Sequence, residues 1–207
     1  MEDTSPVEVV VITAIAVALT LVPLFLIMRM IRKRWRQAAA AAGLPLARAT
    51  RIEASVPGGE LLAYEDTRLV RIGSRPNSHQ VFTSVWGTLR VKPPELFEAS
   101  AQGALTTAPT FPTGDAEFDE TVVVAAKDAD AGRGFLTPRR RKALLKFLAA
   151  VPEGGLFGNR IGRTRDGRMR SKELTRTILA VKNALAELDD TDDYFTTIIP
   201  NRRATPT

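Results

Sequence analysis

The pattern of apolar and polar positions divides this chain into one long apolar run and a set of shorter, alternating or helically spaced segments. Residues 9–28 (VVVITAIAVALTLVPLFLIM) carry no charge. About twenty helical residues at 1.5 Å each span ~30 Å, the thickness of a bilayer's hydrocarbon core. The next eight positions hold Arg29, Arg32, Lys33, Arg34 and Arg36, with Trp35 among them, while the upstream flank holds Glu2, Asp3 and Glu8 and no cation. This asymmetry predicts a transmembrane helix over 9–30, preceded by a short outer tail at 1–8 and followed by a basic juxtamembrane linker at 31–45. The amino terminus is expected outside and the remainder in the cytoplasm, at the inner (plasma) membrane. A cleaved signal peptide fits less well, because such peptides have a basic start and a shorter apolar stretch. A buried core helix would rarely be apolar on every face. Pro23 is a candidate kink. Trp35 and the five cations form a candidate interface with lipid headgroups.

Beyond the linker, residues 46–56 alternate like a half-buried strand, PGG at 57–59 is a turn, and 60–72 and 80–91 read as two more strands. Three strands with short connections predict an antiparallel meander. Residues 98–112 are small, polar and proline-containing and read as a long surface loop, and 118–126 (FDETVVVAA) reads as a strand. Thr137 followed by Pro138 is a helix start, with a capping hydroxyl and proline at the first helical position. That helix runs to about 151, with Leu144, Leu145, Leu148 and Val151 on one face. A second begins near 171 or 172 and places Leu174, Ile178, Val181, Leu185 and Leu188 at helical spacing. The expected fold is α+β: the membrane helix, then a cytoplasmic domain of antiparallel strands with two amphipathic helices over 46–189. A tail at 190–207 is expected to be flexible or docked on a partner.

Composition narrows the chemistry. The chain has 207 residues, 44% hydrophobic and 25% charged, as in a globular protein. With no cysteine, thiolate metal sites, disulfides and cysteine nucleophiles are excluded. A single histidine, His79, cannot assemble a zinc site or a Ser-His-Asp triad in one chain. No glycine-rich phosphate loop is present. Neither a catalytic residue, a cofactor nor a metal is expected. Asp115, Glu117, Asp119 and Glu120 lack the spacing of a calcium loop and read as ion-pair partners or a cap. The net charge of +6 comes from 29 basic and 23 acidic residues, and the five cations after the apolar run account for most of the excess. The isoelectric point near 10 therefore says little about nucleic acid, which is not expected as a partner.

Two cation clusters stand out. Asp166-Gly167 is a two-residue hairpin signal. A hairpin there would set 165 against 168, 163 against 170 and 161 against 172. Arg163, Arg165, Arg168, Arg170 and Lys172 would then project from one face. Like charges opposed across a sheet repel, and an anionic lipid or acidic protein surface would relieve them. A solvated edge with gatekeeper charges is the plainer reading. Arg139 and Arg140, with Arg141 and Lys142, stand in the first turn of a helix, where the macrodipole disfavours cations. Ordinary solvation accounts for them, and an external partner is the alternative.

Thr113, Gly114, Asp115, Phe118, Asp119, Val122 and Val124, followed by Leu136, Thr137, Pro138, Arg141, Ala143, Leu144 and Leu145, make a recurring layout. It resembles uncharacterised prokaryotic membrane-anchored proteins that carry a TGDxxFDxxFxV segment followed by an LTPxxRxALL helix. Thr121–Val122 stand where an aromatic often follows the FD pair in that group. The resemblance covers about 75 residues and implies a fold relationship and no activity. The overall plan, one amino-terminal helix before a β-rich cytoplasmic domain, also resembles that of the photosynthetic reaction-centre H subunit, as architecture only. The function expected from all this is a non-catalytic single-pass accessory subunit of a larger integral membrane complex, an energy-transducing one being a possible host. The alternative is a free-standing anchored domain that recruits a soluble partner.

Overall fold

The computed structural model describes residues 6–70, 78–103 and 106–189, apart from the side chains of 6–14 and 16. The expected tail at 190–207 lies outside the described residues, as does part of the outer tail. The first element is α1 (Pro6–Ala42), a single helix that continues through the stretch expected to be a linker. Eight strands follow: β1 (Leu46–Arg48), β2 (Arg51–Val56), β3 (Gly59–Val70), β4 (Ser78–Leu89), β5 (Glu98–Ala101), β6 (Val122–Ala125), β7 (Gly155–Phe157) and β8 (Arg160–Asp166). They form one antiparallel sheet in the order β1-β2-β3-β4-β8-β7-β5-β6. Four more helices are described: α2 (Ala116–Thr121), α3 (Ala129–Phe135), α4 (Pro138–Ala150) and α5 (Ser171–Leu188).

The α+β class and the β2-β3-β4 meander match the sequence reading. The transmembrane helix does not. Among the described residues, no helix is long and apolar enough to cross a membrane. Beyond Arg29 the helix belongs to the domain: Ile31, Trp35, Ala38, Ala39 and Ala42 lie at helical spacing and are buried in the core.

The sheet's core face is covered by α5, which packs against β2, β3, β4 and β8 and is flanked by α1 on one side and α4 on the other. Leu174, Ile178, Val181, Leu185 and Leu188 are all buried, as their spacing required. Burial of each stabilises by about 1.5–3 kcal/mol. Gly87 makes the close approach possible, since a Cβ there would come 2.7 Å from a Leu185 methyl and 2.8 Å from Val181.

Three further expectations are corrected. The loop expected at 98–112 contains β5, an interior strand paired with both β6 and β7. The strand expected at 118–126 begins as α2, because Asp115 caps it by accepting from the Phe118 N–H at 3.2 Å, and extends only from Val122. No hairpin turns at Asp166-Gly167. β8 pairs with β4 over residues 160–165 and with β7 over residues 160–162 only, and residues 168–172 do not fold back onto the rest of that second edge. The tight turn lies instead at Gly158-Asn159, with Gly158 at φ +56°. After Asp166 the chain follows β4: the Gly167 N–H donates to the Val81 carbonyl at 2.7 Å, and Met169 plugs into the core.

Candidate functional site

The feature with clearest functional content is α1 and its seam with the domain. Its carboxyl-terminal third presents two faces. The inner face carries Trp35 and the alanines, small enough to bring α1 close to α5. The Lys182 ammonium donates to the Ala42 carbonyl at 2.6 Å, placing a cation on the helix's negative end. Arg34, at the seam's edge, donates to the Glu65 carboxylate of β3 and, through Nη1, to the Met169 carbonyl at 2.9 Å. The outer face carries Phe25, Met28, Arg29, Arg32, Lys33 and Arg36 as one continuous stripe. Of the six expected headgroup residues, four therefore share that exposed stripe. Arg34 and Trp35 are turned inward, and Trp35 is fully buried.

Upstream of Met28, α1 leaves the domain with apolar side chains exposed all round. Leu19 is 71% and Phe25 66% exposed, and Leu21, Val22, Leu24 and Ile27 are exposed with them. Single exposed apolar residues are ordinary on a protein surface. A contiguous apolar cylinder of this kind marks a contact surface.

The two sequence clusters separate in space. Arg163 points to the core face, since it shares parity with buried Ile161, and is only 6% exposed. It pairs with Glu173 of α5 and, at 2.9 Å, with Glu153. Arg165 pairs with the same Glu173 oxygen. Burial pushes the Glu173 carboxyl up, but the hydrogen bonds from Arg165 and Arg163 outweigh it and hold the group below its ordinary value. Arg168 lies 4.0 Å from Glu65, Arg170 stands exposed at the start of α5, and Lys172 is exposed two residues on. Arg140 is buried: it donates to the Leu188 carbonyl at 3.1 Å and the Phe135 carbonyl at 3.0 Å, with its guanidinium 4.5 Å from the Phe135 ring. It thereby caps the far end of α5. Arg139 is exposed beside it.

Sequence reasoning missed Glu65 and Glu173 as the organisers of this charge. The one available signal was parity, because an apolar residue at 161 marks the face that 163 and 165 also use. The TGDAEFD segment is a self-capping turn. Asp119 accepts from the Thr113 N–H at 3.0 Å, the Thr113 hydroxyl at 2.7 Å and the Gly114 N–H at 3.2 Å. Desolvation raises its pKa, and these bonds with the Arg141 charge more than reverse that, leaving it lowered. Asp115 pairs with Arg141 at 3.2 Å, which ties the turn to α4. His79 is exposed on β4. Among the described residues, no group of three or more His, Asp or Glu side chains could hold a metal ion.

No family model, curated protein or solved structure matches this chain.

Proposed function

We propose that this protein is a non-catalytic accessory subunit of a larger integral membrane complex, to which α1 attaches it. The observation that carries the reading is the exposed apolar cylinder from Leu19 to Met28, continuous with a helix whose other end is fixed in the domain core. Such a helix cannot move independently of the domain, so whatever binds its projecting half also positions the sheet and the helices over it. The apolar half seats against the complex's own apolar flank. The stripe of Arg29, Arg32, Lys33 and Arg36 meets anionic headgroups on the cytoplasmic side, each cation contributing about 1 kcal/mol near such a surface. The buried pairing of Arg163 and Arg140 supports an architectural role for those two, while Arg165, Arg168, Arg170 and Lys172 of the first cluster and Arg139 and Lys142 of the second are exposed.

Mild-detergent solubilisation from the native membrane, followed by native sizing and mass spectrometry, tests this. Stoichiometric co-migration with a membrane protein is expected. Migration as a lone 22.6 kDa chain would overturn the reading.

A further inference from the structure

Strands β3 and β4 continue past the rest of the sheet. β2 flanks β3 only as far as Tyr64, and β8 flanks β4 only as far as Thr83, with Gly167 bridging once more to Phe82. Residues 66–70 pair with 78–82, and among the described residues no other strand accompanies them beyond that bridge. A two-stranded ribbon is marginally stable in water, and this one encloses no core. Leu69 is 62% exposed and pairs with exposed His79. It shares parity with Glu65, whose carboxylate is held by Arg34 of α1, so it lies on α1's side of the ribbon.

The ribbon projects in the same direction as the free half of α1, and two contacts fix this. Arg34 meets Glu65. Further along α1, the Ala42 carbonyl meets Lys182, the neighbour of Val181, which packs on Gly87, the partner of Leu61. The helix from Arg34 to Ala42 spans ~12 Å and the strand from Glu65 back to Leu61 about 13 Å, so α1 and β3 run antiparallel and nearly in step. In the other direction, Phe25 stands about 13 Å beyond Arg34 and Leu69 about 13 Å beyond Glu65. Two exposed apolar side chains thus reach one height. Below them lie exposed cations of the 163–172 cluster: Arg168, 4.0 Å from Glu65, and Arg170, beside Met169, whose carbonyl Arg34 holds. They stand level with Arg32, Lys33 and Arg36 of α1. Of the carboxylates here, Glu65, Asp66 and Glu173 are paired, with Arg34, Arg68 and Arg165, and Asp166 is exposed.

We propose that this end of the domain rests on a membrane surface of anionic lipid. Arg168 and Arg170 lie in the headgroup layer beside the α1 stripe, and Leu69 dips past it as a second apolar contact, level with Phe25. This rests on the reading that α1 attaches the protein to a membrane assembly, and it extends that attachment from one contact to two. A single helix leaves the domain free to rotate about the helix axis, and a second contact at the same height removes that freedom.

The absence of cysteine makes the test direct, because a single introduced thiol reports one position. Leu69→Cys, Phe25→Cys and Leu96→Cys each carry an environment-sensitive dye in the full-length chain. The vesicles are phosphatidylcholine and phosphatidylglycerol with brominated acyl chains, which quench a dye that enters them. All three positions are exposed, so labelling leaves the core untouched. Leu96 is the control: it adjoins Phe97, whose carbonyl accepts the Gly158 N–H at the opposite end of the domain. Quenching at Leu69 and Phe25, several-fold above that at Leu96, is expected. Quenching at Phe25 without Leu69 would overturn the proposal and leave the attachment of α1 intact. Quenching at Leu69 without Phe25 would overturn the common height, and quenching at neither would remove both readings. Equal quenching at all three would mean no fixed orientation and would also overturn it. Arg170→Gln should weaken vesicle binding about five-fold, the effect of one cation near an anionic surface. Lys92→Gln, beside Gly158 at the opposite end, should leave binding unchanged. Arg170 precedes the first turn of α5, where the macrodipole disfavours a cation, so its loss does not threaten folding. Equal effects of the two substitutions would overturn the headgroup contact.

Discussion

Arg34 of α1 and Glu65 of β3 form a largely buried ion pair between residues 31 positions apart, and Arg34 also holds the Met169 carbonyl at the entry to α5. One guanidinium thus joins the long helix, the sheet and the central helix. The pair sits at the edge of the core, where a charge left without its partner is poorly solvated.

Glu65→Gln is therefore expected to cost about 3–5 kcal/mol, the range for removing one partner of a buried pair. Arg34→Met combined with Glu65→Gln should cost less than the sum of the single changes. Urea denaturation in a double-mutant cycle measures the difference. Strict additivity would mean that the pair does not fasten α1.

Trp35 separates ring packing from hydrogen bonding. Its indole is fully buried, and its Nε1–H has no partner among the described residues. Trp35→Ala should destabilise by about 3–5 kcal/mol through the cavity it leaves. Trp35→Phe removes the orphaned donor, a gain of about 1–3 kcal/mol that offsets much of the lost area. A Phe variant as unstable as the Ala variant in thermal melts would contradict this.

Glu173 and Asp119 both have lowered pKa values in the folded chain. Their ionised forms are the stabilising ones. That stability is complete above the unfolded values of about 4.3 for Glu and 3.9 for Asp, and is lost as pH falls through the lower folded values. The melting temperature should drop as pH decreases below about 4. Glu173→Gln should flatten that acid limb, and an unchanged limb would count against Glu173 as its source.

Glycines at similar dihedral angles should differ in tolerance. Gly58 has φ +82°, and a Cβ there would stand 1.9 Å from the Leu185 carbonyl oxygen. Gly103 has φ +86° with nothing within 4 Å. Gly103→Ala should cost about 1 kcal/mol, from backbone conformation alone. Gly58→Ala should cost several times more, because α5 must also move off the sheet. Equal losses in stability would mean that α5 is not held this close to the Gly58 turn.

Much of the fold was legible because it depends on local rules. Thr137 before Pro138 specifies a helix start wherever the segment lies, and the Thr137 hydroxyl does accept the Arg140 N–H at 3.3 Å. The apolar spacing of α5 specified its buried face. Asp166-Gly167 misled because a turn signal is only a preference, and after Asp166 the backbone bonds to β4 through the Gly167 N–H and the Val81 carbonyl instead of folding back on β8. The arginine clusters misled for a related reason. Charge along the chain does not reveal that Glu173 and Glu65, brought by other elements, lie opposite them.

By itself the sequence determined an α+β chain with a three-strand meander, two amphipathic helices, a long apolar helix and no thiol chemistry. These follow from periodicity, caps and residue chemistry, which act over a few neighbouring positions. Only the tertiary structure decided that α1 continues past its cations into the core, that β5 is an interior strand, and that Arg34, Arg140 and Arg163 face inward. Each of those depends on partners far away in sequence, because burying a charge is tolerable only where another element supplies its counterpart.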